Sequence, residues 1–545
     1  MRDLAYLKLL SREYPNIRAA ASDIINLQAI CGLPKGTEYF FSDLHGEHEA
    51  FIYLLRSSSG IIREKIRETF GHIISEEDEV RLANLIYYPE KMINQIKQAN
   101  EYTEDWQKTA VYRLVQICRE VSSKYTRSKV RKKMPKEFSG VIDELLYVDN
   151  TDDNKTEYYS ELINTLIDVR VADSFIVVIC SLIRSLTIDN LHILGDIFDR
   201  GPRPDIILEE LMHFHDVDIQ WGNHDISWMG AATGNRACIC NVLRMALGYN
   251  GFDVLEDGYG INLRPLSMFA ERVYRDDPCT CFLPQILDKN IYDAVDPKLA
   301  AKMHKAIAVL QYKEEGQIIK RHPEYGMEER ILLSAIRYDR GTVTIDGKEY
   351  PMRDMNFPTV DPADPLRLTD EEEELLHTLE LSFRHNARLH EHVRFLYSNG
   401  SMYKCCNSNL LYHGCIPMTE NREFDGLMVG GKMYRGKELM DFIDTQVKNA
   451  YFLPEDAPEK EACRDFMWYL WNGAKSPVFG KDKNRSFEHY FIEDPEVMRE
   501  TMNPYYQLSE EEETCDMILK EFGLPTKGSH IINGHMPVKI KSGET

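Results

Sequence analysis

Six groups able to hold a metal ion recur along this chain, each where an apolar or aromatic run meets a glycine. Asp43 and His45 follow Thr37-Glu-Tyr-Phe-Phe-Ser42 and precede Gly46, while Asp196 follows the run Leu191-His-Ile-Leu-Gly195. Asn223 follows Val217-Asp-Ile-Gln-Trp-Gly222, His413 sits between Asn409-Leu-Leu-Tyr412 and Gly414, and His535 follows Ser529-His-Ile-Ile-Asn-Gly534. Runs of this length read as buried strands, and glycine lets the backbone turn tightly just where the ligands must face a common point. Mixed carboxylate, imidazole and amide ligands suit a pair of borderline divalent ions such as Mn²⁺, Fe²⁺ or Zn²⁺; Mg²⁺ or Ca²⁺ alone would call for mostly oxygen. Two ions roughly 3.5–4 Å apart need a shared anion, and Asp196, central in the series, is the natural bridge. Asp199, Arg200 and His224 lie beside these ligands, so the stretch Gly195 to Pro202 brings two carboxylates and an arginine to one turn. That combination points to metal plus phosphate. The plainer reading, an aspartate capping a helix or an isolated Asp and His at a turn, fits each stretch taken alone. Five strand ends supplying matching ligands decide against it.

These ligands need strands, and the pattern supplies them with helices between. Leu4–Ser11 and Ile17–Ile30 read as helices; a helix over Asp205–His213 separates two strands, a βαβ unit that places Asp196 and Asn223 at the C-terminal ends of adjacent or near-adjacent parallel strands. Open α/β sheets bind ligands there. Residues 1–60 therefore form the start of a core that continues over 189–233 and 401–545, with a helical insertion over 61–188 and a second, mainly helical one over 234–400. The second insertion contains a hairpin at Thr342–Tyr350, turning at Asp346-Gly347, and one long helix that starts at the Thr369/Glu372 capping box and runs to Ser398-Asn-Gly400. His377, His385, His390 and His392 fall on that helix without the i, i+4 spacing of a helical metal site, so they read as surface or packing residues. The acidic runs Asp370–Glu374 and Glu510–Glu513 read as helix starts, where the dipole favours negative charge. Lys124–Lys136 is a basic run; its plain reading is a solvated helix face, its sharper one a surface for an anionic substrate or effector.

The chain has 545 residues and a formal net charge of −23, which disfavours nucleic acid and anionic membrane surfaces as partners. No apolar run reaches the length of a membrane span, and the start of the chain lacks a signal-peptide core. Twelve cysteines without Cys-x-x-Cys spacing read as free thiols of a cytoplasmic protein.

Asp43-x-His45, Gly195-Asp196-x-x-Asp199-Arg200-Gly201, Gly222-Asn223-His224-Asp225, His413-Gly414 and Gly534-His535 together resemble the calcineurin-like metallophosphoesterase superfamily. Finer matches, among them Leu33-Pro-Lys-Gly-Thr37, Ser42-Asp-Leu-His-Gly-Glu47, Asn407 to Pro417 and Ser476-Pro-Val-Phe-Gly-Lys481, are similar to the class 3 fructose-1,6-bisphosphatases of bacteria. The long gap between Asp43 and Asp196 fits that class; protein phosphatases of the superfamily have a much shorter one. The resemblance implies an α/β (α+β) fold, a β-sandwich of two mixed sheets flanked by helices, with large helical insertions. It implies a gluconeogenic hydrolase that converts fructose 1,6-bisphosphate to fructose 6-phosphate with two divalent ions, Mn²⁺ foremost. Asp43 and His45 would hold the first ion, Asn223, His413 and His535 the second, with Asp196 between. Water activated by the ions would attack phosphorus without a phosphoenzyme. His224, oriented by Asp199, would protonate the leaving alkoxide, and Arg200 would grip the phosphoryl oxygens. For the distal phosphate the best offer is Lys475, Lys481, Lys483 and Arg485. Adenine nucleotides and phosphoenolpyruvate are the implied effectors, with no segment marking their site. The class also continues beyond the position of Thr545 with further strands, which implies that this chain is truncated and that Val538–Thr545 is a strand cut short beside His535.

Three other readings remain open from the motifs alone: a protein serine/threonine phosphatase, a dinucleotide polyphosphate hydrolase, and a non-catalytic scaffold on a phosphatase fold. The scaffold reading is weakened because all six ligands and His224 are present.

Overall fold

Strands of only two to four residues carry the ligand-bearing turns. The computed structural model describes residues 4–33, 36–71, 73–147, 153–285 and 296–536. Among the described residues it is mixed α/β, with helices from Leu4–Glu13 to Glu512–Glu521 around several small sheets. The first sheet has the order β1 (Glu38–Phe41), β2 (Asn190–Ile193), β3 (Val217–Gln220), β4 (Gly400–Ser401), and β3 and β4 run parallel, pairing Ile219 with Gly400. In the second sheet β6 (Asn409–Tyr412) lies between β5 (Tyr403–Cys406) and β7 (His530–Asn533). It is mixed: β5 is antiparallel to β6, and β7 is parallel to it with Asn533 opposite Tyr412. That parallel register brings the residues just past both strands, His413 and His535, side by side. Every residue of β3 and β6 is buried, although β3 alternates apolar with polar side chains over Val217-Asp218-Ile219-Gln220. The polar exceptions in β3 are paired: Asp218 accepts from His192 Nδ1 (2.8 Å), Lys404 Nζ (2.6 Å) and Gln220 Nε2 (2.9 Å).

The chain divides into two compact units, Met1–Tyr39 with Ile52–Leu191, and Phe40–Phe51 with His192–Thr545. The first owns a helical core in which Leu114, Val115 and Ile117 of the helix Glu104–Ser122 and Phe175, Ile176 and Ile179 of the helix Ala172–Thr187 are fully buried. The second holds the ends of β1 and β2, the other strands and every ligand-type residue singled out above.

The helices expected at the start are found as Leu4–Glu13 and Ile17–Cys31, the βαβ helix as Pro204–Met212, and the hairpin as Thr342–Ile345 with Lys348–Pro351. The expected long helix from Thr369 is corrected. Its capping box forms, with Thr369 Oγ1 accepting from Glu372 N (3.2 Å) and Glu372 Oε2 accepting from Thr369 N (2.8 Å), but the helix ends at Arg384. A second helix starts at Ala387 because the Asn386 side chain accepts from Leu389 N (2.9 Å), and an asparagine that can cap competes with helix continuation. His390 and His392 pack as expected, hydrogen-bonded to the hydroxyls of Tyr451 and Tyr259. All twelve cysteines are free thiols. Among the described residues no helix is long and apolar enough to cross a membrane. The segment Val538–Thr545, expected as a strand, lies outside the described residues.

One buried carboxylate makes stability depend on pH. Glu314, in the helix Pro297–Arg321, is 7% exposed; burial pushes its carboxyl up to about 7, even though Arg236 and Arg321 pull it down. A folded-state carboxyl raised above its unfolded value keeps its proton longer in the native state, so stability is fully present below about pH 4.5 and falls as pH rises toward 7. Glu314→Gln removes that loss. Denaturant melts at pH 8 are expected to show the variant more stable by about 1–3 kcal/mol, with the gap closing by pH 4.

Candidate metal centre

Four of the six ligand-type residues take a backbone conformation that side chains rarely adopt. Asp43 (φ 53°), His45 (φ 43°), Asp196 (φ 55°), Asp199 (φ 66°), Arg200 (φ 69°) and His535 (φ 68°) all lie in the left-handed region. Non-glycine residues there are strained and persist only where the surroundings over-determine them. Here the turns zip to one another: Asp43 N donates to Gly195 O (3.0 Å), His45 N to Asp196 O (2.8 Å), Gly46 N to Ile197 O (2.9 Å) and Gly201 N to His45 O (2.7 Å). Gly534 N donates to His413 O (2.8 Å), and His535 N to Asp43 Oδ2 (3.0 Å). Two glycines allow the close approach. A Cβ on Gly222 would sit 2.1 Å from Asp196 Oδ1, and one on Gly195, at φ 81°, would meet Gly222 N at 2.5 Å.

Asp225, quoted above only as the last letter of its motif, is the clamp of this turn. Its buried carboxylate accepts three backbone N–H groups: Asp196 (2.8 Å) and Gly222 (2.9 Å) on Oδ2, Ile197 (2.8 Å) on Oδ1. Burial first, then the nearby charge of Asp196, pushes its carboxyl up to about 6. An aspartate three residues after a turn glycine, opening a helix, is the sequence signal for such a role.

Around Asp196 three imidazoles point one bare nitrogen inward. His45 Nδ1 donates to Phe198 O (3.0 Å), His413 Nδ1 to Leu194 O (2.5 Å) and His535 Nε2 to Phe479 O (3.1 Å). A carbonyl can only accept, so each of these nitrogens carries a proton, and in the neutral ring the opposite one offers a lone pair. Those lone pairs converge: His45 Nε2 is 3.9 Å and His413 Nε2 3.3 Å from Asp196 Oδ2, and His413 Nε2 is 3.1 Å from His535 Nδ1. Asp43 Oδ1 is 4.0 Å from His45 Nε2. Two clusters of possible ligand atoms result, His45–Asp196–His224 and Asp196–His413–His535, sharing Asp196.

The fit to cations is visible in what is left unsatisfied. Asn223 Oδ1 is buried without a hydrogen-bond partner, an acceptor with nothing to accept. Burial and the neighbouring histidines press His45 down to about 4 and His535 down to about 3. Burial opposes charge on His413 as well, yet Asp196 carries it up to about 9, and Asp196 stays well below the usual carboxylate range despite its own burial because His413, His224 and His45 surround it. A carboxylate ringed by imidazoles that cannot all take protons could hold divalent cations.

His224 and Asp199 are brought together beside Asp196. His224 Nδ1 donates to Asp199 Oδ2 (2.6 Å), and its backbone N donates to Asp196 Oδ1 (3.1 Å). Burial disfavours charge on His224, but Asp196 and Asp199 raise it above the ordinary histidine value. Asp199 Oδ1 accepts from Trp228 Nε1 (2.8 Å), whose ring stacks on Phe198 at 4.7 Å. Trp228 carries no motif signal; only the helix period, four residues after His224, hints that it shares a face with it. Trp471 closes the far side of His224, ring centroids 4.9 Å apart. The charge of Arg200 reaches both His45 and His224 and lowers them. Among the four distal cations, Lys481 acts on the centre, lowering His535, while bonded to Glu500 (2.6 Å). Lys475 pairs with Asp425; Lys483 (2.5 Å) and Arg485 (3.3 Å) both reach Asp346 at the hairpin turn, and Arg485 also meets Glu488 (3.2 Å).

Comparison with known proteins agrees over the whole length. The family model described as Firmicute fructose-1,6-bisphosphatase matches residues 5–545. Proteins named fructose-1,6-bisphosphatase class 3 from Clostridium tetani and Alkaliphilus metalliredigens are each 51% identical over 543 and 545 residues, covering 100% of this chain and 82% of each relative. One from Bacteroides fragilis is 51% identical over 543 residues, 99% of this chain. No solved structure matches. The chain belongs to the Firmicute, class 3 fructose-1,6-bisphosphatase family.

Proposed function

We propose that this chain hydrolyses fructose 1,6-bisphosphate to fructose 6-phosphate and phosphate at a dinuclear centre built on Asp196. The observation that carries the reading is the set of three imidazoles, each with one N–H spent on a backbone carbonyl and its lone pair turned toward Asp196. Asp43 and His45 would hold one ion and Asn223, His413 and His535 the other, with Asp196 available to both. Imidazole, carboxylate and amide donors favour Mn²⁺ among abundant divalent ions over Mg²⁺. The two sheets that end at these ligands form the metallophosphatase sandwich, into which residues 61–188 and 234–400 are inserted. Adenine nucleotides or phosphoenolpyruvate as effectors belong to the same reading, with no residue assigned to them.

When bound, the ions supply a nucleophilic water near neutral pH and draw charge from the phosphoryl oxygens. Arg200 grips those oxygens through its planar fork. His224 holds its Nδ1 proton on Asp199, so Nε2 is the atom that gives a proton to the departing sugar oxygen. Trp228 fixes the second Asp199 oxygen and thereby the rotation of that carboxylate. Asp225 shapes the Asp196 turn and touches no substrate. Lys481, the distal cation that acts on the centre, leads Lys475, Lys483 and Arg485 as the contact for the second phosphate.

Phosphate release from fructose 1,6-bisphosphate and from a phosphopeptide, run in parallel with Mn²⁺, tests the substrate; preference for the peptide overturns it. Chelator treatment is expected to abolish turnover, and Mn²⁺ to restore it. Asp196→Asn should lose both ions by metal analysis, whereas His224→Asn should keep them and lower kcat by about 10²–10⁴. Asp225→Asn places an N–H against backbone donors and should weaken metal affinity by about 10–100-fold with the fold intact by circular dichroism. Trp228→Phe is expected to lower kcat by about tenfold while metal content and KM hold.

A further inference from the structure

The basic run Lys124–Lys136 is not a uniformly solvated face. It begins just before the helix Arg127–Lys133, and its cations sort onto two sides. Arg127 (2.9 Å) and Arg131 (2.6 Å) share Asp143. Lys124, Lys129 and Lys133 gather instead around Tyr125, their ammonium groups 4.9, 4.5 and 5.9 Å from the centre of its ring, and Lys133 also donates to Ser185 O (2.7 Å). The carboxylate among them is Asp189, with a 4% exposed side chain; it lies 2.8 Å from Lys129 Nζ and 3.4 Å from Lys133 Nζ. Asp189 also accepts from Thr37 N (3.0 Å) and from the Tyr125 hydroxyl, so backbone and side chains already crowd it.

Lys124 is the telling member. Its hydrogen-bond partner is the neutral Thr37 hydroxyl (2.6 Å), not a carboxylate. Burial lowers its pKa, Asp189 resists, and Lys129, Lys133 and Lys65 lower it further, so the ammonium stands in a field of like charge. Repulsion of this kind is relieved by an anion. Lys129, whose side chain is 45% exposed, keeps the cluster open to solvent.

We propose that Lys124, Lys129 and Lys133 form an anion site for a small phosphate-class dianion, built wholly from residues of the first compact unit. Three ammonium groups are mobile point charges rather than planar forks, which suits a tetrahedral phosphate more than a planar carboxylate. Three lysines on a chain of net charge −23 are too few for a nucleic-acid backbone.

Equilibrium dialysis of the full metal-loaded chain against labelled inorganic phosphate tests this, with sodium chloride holding ionic strength constant. Wild type is expected to hold one phosphate more per chain than Lys124→Gln/Lys129→Gln. Should the double variant fail to fold, Lys129→Gln alone is expected to weaken the same phosphate about tenfold. Asp189→Asn, which leaves the lysines uncompensated, is expected to bind it several-fold tighter. Equal phosphate stoichiometry and affinity in wild type and the lysine variants, or weaker binding by Asp189→Asn, would overturn the proposal.

Discussion

A single buried carboxylate, Asp225, fixes the backbone on which the centre depends. It takes the N–H groups of Asp196, Ile197 and Gly222 at once, and so ties the turn after β2 to the turn after β3. With that tie in place Asp196 can remain at φ 55°, a conformation an unsupported aspartate would leave. The neighbouring strained residues follow from it, because Asp43 and His45 hydrogen-bond to the carbonyls of Gly195 and Asp196. His535 in turn hangs on the Asp43 carboxylate through its backbone N–H. Local strain is thus shared among turns that stabilise one another, and the product is a set of ligands fixed before any ion arrives.

Preorganisation extends to the protons. In the neutral ring each inward imidazole nitrogen offers a lone pair because the opposite nitrogen holds its proton on a backbone carbonyl, and backbone carbonyls do not titrate. The same device sets His224 apart: its outer nitrogen donates to the Asp199 carboxylate, a charged acceptor that favours a protonated ring. Among these chemically identical side chains, His224, the proposed acid, is the one whose outer nitrogen rests on a carboxylate. Metal ligation and proton donation need not compete for the same histidine.

The residues that converge on Asp196 were legible in the sequence as candidates because each sits close to a glycine at the end of a strand, a local signal. What ties them together was not. Asp225 acts on Asp196 across 29 residues and Trp228 on Asp199 across another 29, so neither role can be seen in a window of sequence. The mixed second sheet shows the same limit: His413 and His535 become neighbours through the parallel pairing of β6 with β7, segments more than a hundred residues apart. The helix break at His385–Asn386 failed for a different reason, since the apolar period continues across it and one capping asparagine outweighs that pattern. The basic run was read from composition as one face, whereas its carboxylate partners, Asp143 and Asp189, divide it into two.

The central claim is that one carboxylate is shared by two ions. An anomalous difference map from crystals of the full chain grown with Mn²⁺, collected at the manganese edge, tests it most directly. Two peaks about 3.5–4 Å apart with the Asp196 carboxylate between them are predicted. A single peak, or two peaks that Asp196 does not bridge, would contradict the account.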